Sequence, residues 1–247
     1  MKKCHLCHQV QVRELRHSHI VPEFLYRELY NDKRQLMAVS GLGKRGRALL
    51  QNGIKQHLFC EECEQHFNEH FEKPFKRWLD TKQLPNPWPL AEEAHWTEAD
   101  YAPFKLFHLS VLFRASVCSL GTFNQVSLGP RHEERMRQML LACDPGGHSE
   151  YPVFGHAVIH HETRRLVPMV STVVKSSIEG HRCWGTMYGG VQWWVSVSSH
   201  PNRLIEHGGL QPDGKMPFLA ELWHQVPVVQ AAAQALRSPI PMQSGRS

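Results

Sequence analysis

Leu58-Phe59-Cys60-Glu61-Glu62-Cys63-Glu64 decides how the chain is read, because it sets a Cys-x-x-Cys pair at the head of an amphipathic helix. That helix is expected from about Glu61 to Asp80, where Phe67, Phe71, Phe75, Trp78 and Leu79 recur along one face. A second pair, Cys4-His5-Leu6-Cys7, lies near the start. Two residues between cysteines let a tight turn aim both thiolates at one ion, and zinc takes four such ligands in a tetrahedron. The two pairs predict one structural zinc on Cys4, Cys7, Cys60 and Cys63, with a redox dithiol as the competing reading. Cys118, Cys143 and Cys183 stand alone and read as small packing residues.

Outward from the cysteines, 247 residues with 41% hydrophobic and 21% charged content suit one or two folded domains rather than a disordered chain. No stretch approaches the roughly 18 to 20 apolar residues of a bilayer span. Met1-Lys2-Lys3-Cys4-His5 turns polar where an export signal would become apolar, so a cytoplasmic protein with reduced thiols and no membrane partner is expected. The net charge of +5 is unevenly spread: residues 1–55 hold eleven lysines and arginines against four acids. A basic segment beside the cysteines suits a polyanionic partner, and equally a solvated surface.

The pattern predicts an α+β protein: an N-terminal zinc domain over 1–83, a linker or extended wrap over 84–103 punctuated by Pro85, Pro87, Pro89 and Pro103, an α+β domain of helices then antiparallel sheet over 104–237, and a frayed tail over 238–247. Within the first domain, alternating Val10 and Val12 and then Leu15 to Ile20 read as strand, Pro22 opens a helix, and 31–55 forms a basic loop or hairpin tip. In the second, helices are expected at Tyr101–Leu120 and Pro130–Ala142, and strands at Val153–His160, Leu166–Val174 and Val191–Ser198. A last helical stretch, broken by Pro227, spans Phe218 to Leu236.

Between the cysteine pairs lies His17-Ser18-His19-Ile20-Val21-Pro22. A His-Ile-x-Pro step between two zinc knuckles resembles the HNH endonuclease family, whose usual order is Cys-x-x-Cys, Asp-His-Ile-x-Pro, then Leu-Cys-x-x-Cys-Asn. The resemblance covers residues 1 to about 80. It implies a treble-clef, ββα-metal fold in which zinc holds the scaffold and a separate magnesium or manganese ion sits at the scissile phosphate. On that template His19 is the general base, since an imidazole accepts a proton from water near neutral pH. Two departures stand out: Ser18 replaces the aspartate, and Glu64 follows the last cysteine. A hard cation needs an anionic oxygen, so Glu64 is the leading substitute ligand, with His66, Glu69 and Glu72 as further candidates along the helix. Each also has a plain reading, because acids favour the first turn of a helix and helical histidines are commonly surface. His17, two residues from His19, is expected on the same side of the strand, as an auxiliary group or an exposed imidazole.

Gly41-Leu42-Gly43-Lys44-Arg45-Gly46 matches a dinucleotide-binding turn in letters only, since no βαβ unit surrounds it. Lys44, Arg45 and Arg47 instead suit a loop tracking nucleic-acid phosphates, DNA before RNA. His156, His160, His161, His200, His207 and His224 show no ligand spacing. The C-terminal part is open between target recognition, docking of a second copy or another protein, and gating. The expectation is a metal-dependent endonuclease; the alternative is a non-catalytic, zinc-stabilised module that binds nucleic acid or protein.

Overall fold

The computed structural model describes residues 2–11, 14–39, 47–81, 83–90, 94–198 and 208–237. The chain is α+β. Its N-terminal third holds three two-stranded pieces. β1 (Lys2–Lys3) pairs with β2 (Val10–Gln11), β3 (Arg16–His19) with β6 (Lys55–Phe59), and β4 (Gln35–Val39) with β5 (Arg47–Gln51). A 3-10 turn over Glu23–Leu29 follows Pro22, and α1 (Glu61–Phe67) begins where β6 ends. A wider π turn, Asn68–Glu72, joins α1 to α2 (Lys73–Asp80). The three form the continuous helix expected from the aromatic spacing.

The rest of the chain builds a six-stranded sheet in the order β7-β12-β8-β11-β10-β9, comprising β7 (His95–Glu98), β8 (Val153–Ile159), β9 (Val174–Ile178), β10 (His181–Tyr188), β11 (Val191–Ser196) and β12 (Lys215–Leu222). All neighbours are antiparallel except β12 against β8. The remaining helices are α3 (Tyr101–Val117), α4 (Pro130–Ala142) and α5 (Pro227–Arg237). Among the described residues no helix is long and apolar enough to cross a membrane.

α3 explains the layering. Every side from Phe104 to Ala115 is buried, as expected of a helix with apolar residues on every face, and Lys105, His108, Ser110 and Arg114 are buried with them. The helix lies between two layers. His108 lies 4.2 Å from Trp193 of the sheet, centroid to centroid, while Phe107 stacks on Phe75 of α2 at 3.9 Å. One hydrophobic core therefore runs from Leu6 through Phe71 and Phe113 to Trp193.

Several expectations need correction. The stretch 84–103 is no free linker: it carries β7, paired with β12, and Trp88 is buried. Leu166–Val174 makes an isolated bridge, Leu166 with Ile159, and enters a ladder only at its last residue, Val174, where β9 begins; Pro168 has no N–H to give one. β10 was not foreseen, although Glu179-Gly180 and Gly189-Gly190, all at positive φ, make the two-residue turns that join it to β9 and β11. Phe218–Leu222 is strand, not helix. Met216 and Phe218, two apart, both face the core opposite Thr97 and His95 of β7, and Leu219–Leu222 continue beside β8, so tertiary pairing overrides local preference. The hairpin expected within 31–55 is present as β4–β5, but Val12, residues 40–46 with Lys44 and Arg45, His200, His207 and the 238–247 tail lie outside the described residues. Of Arg47 only the backbone, at the start of β5, is described.

Candidate functional site

The first cysteine pair sits in a turn closed by His8 N–H donating to Cys4 O at 3.0 Å, with His8 itself at φ 62. His5 N–H donates to Leu58 O at 3.1 Å and so ties this turn to β6. The second pair follows directly: Cys60 precedes the first turn of α1 in extended conformation, and Cys63 lies inside that turn. All four cysteines are free, and their Sγ atoms lie within 4.8 Å of one another. Cys7 and Cys60 Sγ are 3.9 Å apart, too far for a disulfide and close to the tetrahedral edge of about 3.8 Å that Zn–S bonds of about 2.3 Å require.

The thiols also influence one another's ionisation. Cys63 donates to Cys4, whose thiol is held down to about 4, and Cys60 N–H also donates to Cys4 Sγ at 3.4 Å. Cys63 is pushed up by that donation and by burial, and burial pushes Cys60 up to about 12. A divalent ion would let all four ionise, helped by the positive end of α1. The donor set therefore fits a metal such as zinc.

Beside this cluster, β3 and β6 slip register between Arg16 and His17, and Ser18 is turned inward. The Ser18 hydroxyl donates to Glu64 Oε1 on α1. Hence the residue standing in place of an aspartate holds the carboxylate of the residue after the last cysteine. His19 Nε2–H donates to Asn52 O at 2.9 Å, which leaves Nδ1 as the free lone pair of the neutral ring. Burial first, then Lys55, pulls the His19 imidazole below its usual range, with the Asn52 carbonyl opposing. Burial raises the Glu64 carboxyl, while Arg114 and the Ser18 hydroxyl oppose that rise.

His19 and Glu64 line one hollow of about 240 Å³, together with Asn68, Glu72 and Arg114, and with Arg27, Lys73 and Lys76 bringing positive charge. A larger hollow of about 690 Å³ lies across Glu64, Asn68 and Glu72, and is walled by His17, His57 and Glu61. The π turn aligns that shared wall: i+4 steps drift about 40° in an α-helix, and a wider turn reverses the drift.

Comparison with family models, curated proteins and solved structures finds no match.

The structure thus brings His19, Ser18, Glu64 and Glu72 to one place. His17 stacks on His57 at 4.7 Å and lines the larger hollow, while His19 lines the smaller one across the shared wall of Glu64, Asn68 and Glu72. His66 lines neither hollow. Its Nε2–H donates to Leu140 O at 2.8 Å, against the end of α4, because three steps along a helix from Cys63 point away from Glu64. Glu69 is drawn outward by Lys73. Arg114 was missed: 1% exposed, it reaches from α3 to Glu72 Oε1 at 2.6 Å, and its guanidinium lies 4.6 Å over the Phe67 ring. Its Nε is buried without a partner. The signal was present as a lone arginine in an apolar helix, but its partner could not be named before folding.

Proposed function

We propose that the chain is a metal-dependent endonuclease of the HNH type, hydrolysing phosphodiester bonds of nucleic acid, DNA before RNA, on a zinc-bound treble-clef, ββα-metal scaffold. The hollow shared by His19 and Glu64, with Ser18 fastening Glu64, is the observation that carries this reading. Support for the scaffold comes from the order of its parts: cysteine turn, β3–β6 pair, then α1 headed by the second cysteine pair.

The residues divide the work. His19, anchored through Nε2–H to Asn52, takes the proton of the attacking water at Nδ1, a contribution of about 10²–10⁴-fold for a well-placed base. Glu64 presents an oriented carboxylate oxygen for a hard cation. Magnesium or manganese bound there would polarise the phosphate and offset charge on the leaving oxygen. Arg27, Lys73 and Lys76 draw the polyanion to the hollow, and Arg114 keeps Glu72 from repelling it.

Plasmid nicking by contaminant-free protein tests the proposal. Cleavage is expected only with magnesium or manganese, with His19→Ala slower by about 10²–10⁴-fold and Glu64→Gln demanding more metal. Protein that cuts neither DNA nor RNA with either ion, or that cuts equally well as His19→Ala, overturns it.

One observation favours the second reading, a zinc-stabilised binding module without chemistry. Ser18 and Arg114 already engage Glu64 and Glu72, and burial favours a neutral Glu64. On that reading His19→Ala leaves binding and cellular activity intact, while Cys60→Ser abolishes both.

A further inference from the structure

His66, excluded from the hollows, belongs to a second group of metal-ligand side chains. His66, His70 and Cys143 each present a ligand atom, all within 4.8 Å of one another, and the group shares no residue with the four-cysteine cluster. Three separate elements position it. His66 ends α1 and His70 lies in the π turn, four residues on, so that the rings sit 4.8 Å apart, centroid to centroid. Cys143 caps α4 in left-handed conformation, φ 53 and ψ 30, a position that glycine or asparagine more commonly takes. The turn brings its Sγ to 3.7 Å from His66 Nε2. Tetrahedral ligation with Zn–N of about 2.0 Å and Zn–S of about 2.3 Å separates a nitrogen and a sulfur by about 3.5 Å.

We propose that His66, His70 and Cys143 form a second transition-metal site, for zinc or an ion of like preference, which clamps the π turn of the N-terminal helix to the end of α4. Two imidazoles and one thiolate are borderline-to-soft donors, so the site rejects magnesium and calcium, which prefer oxygen. Three protein ligands leave a fourth position for water or an incoming ligand, unlike the closed four-sulfur cluster. His70 is exposed and gives the ion a way in. Ligation through His66 Nε2 requires its proton on Nδ1, at the expense of the bond to Leu140 O. This inference is independent of the nuclease reading.

Cobalt(II) titration of the full chain, followed by absorption and by metal analysis after desalting, tests it. Two equivalents are expected. The first gives the intense sulfur-to-cobalt bands of four thiolates, and the second adds a weaker increment from one thiolate. His70→Ala alters an exposed side chain, and Cys143→Gly suits the left-handed backbone while deleting the thiol, so both variants should fold. Each should bind one equivalent with the four-thiolate bands unchanged, and excess magnesium should displace nothing from the wild type. A wild-type protein that stops at one equivalent overturns the proposal. So does retention of two equivalents by both variants.

Discussion

At the scale of single residues, the buried polar groups of α3 carry the sharpest consequences. Arg114, fully buried, pairs with a Glu72 carboxylate that is 20% exposed, so removing it leaves that carboxylate with no partner in a mostly buried place. Arg114→Met should lower unfolding free energy by about 3 kcal/mol in urea titration, and adding Glu72→Gln should restore much of the loss. A cost below about 0.5 kcal/mol would show that the pair is effectively solvated. His108 is fully buried, shares a 2.5 Å hydrogen bond with the Tyr188 hydroxyl, and is held neutral by burial, well below its ordinary range. Its unfolded counterpart takes up a proton below about pH 6.5, so stability falls with pH there by about 1.4 kcal/mol per unit for this group and is unaffected above. His19 and His156 are lowered in the same sense, also chiefly by burial, and add to the wild-type slope. Denaturation midpoints of His108→Gln between pH 4.5 and 6.5 should show that slope reduced by one histidine's share; an unchanged slope would mean that His108 takes up its proton in the folded state.

At the scale of elements, the turns and the helical distortion matter more than propensity. Gly190 at φ 75 closes the β10–β11 hairpin, and a Cβ there would approach Leu166 Cβ at 2.7 Å. Gly190→Ala should therefore cost at least about 1–2 kcal/mol, the usual penalty for a side chain in left-handed backbone, as read from the shift in melting midpoint. The π turn between α1 and α2 is the element on which both candidate sites depend: it sets Asn68 and Glu72 beside Glu64 of α1, and His70 beside His66 of α1. Helix periodicity made 61–80 readable as one helix from its aromatics. Nothing local announces a single wider turn inside it, so the alignment of Asn68 with Glu64 was not readable. β12 shows the opposite failure. Its residues tolerate a helix in isolation, and only a place beside β8 makes them a strand.

At the scale of the whole molecule, one continuous core joins the cysteine-rich third to the sheet through α3. Thermal unfolding should accordingly be a single transition by both near-UV and far-UV signals, rather than two domain melts, and zinc binding at the four cysteines should raise that one midpoint. Two separable transitions would show that the halves fold apart. The linear order of residues was enough to determine the paired cysteines, the Ser18-His19 step, the apolar helix and the α+β character, because each is a local spacing or composition that any folded state must satisfy. Tertiary structure alone decided that Ser18 holds Glu64, that Asn52 sets the His19 tautomer, that Arg114 reaches Glu72 and that Cys143 meets His66. These are contacts between segments far apart along the chain, which no local spacing specifies and only the packing of the elements brings about.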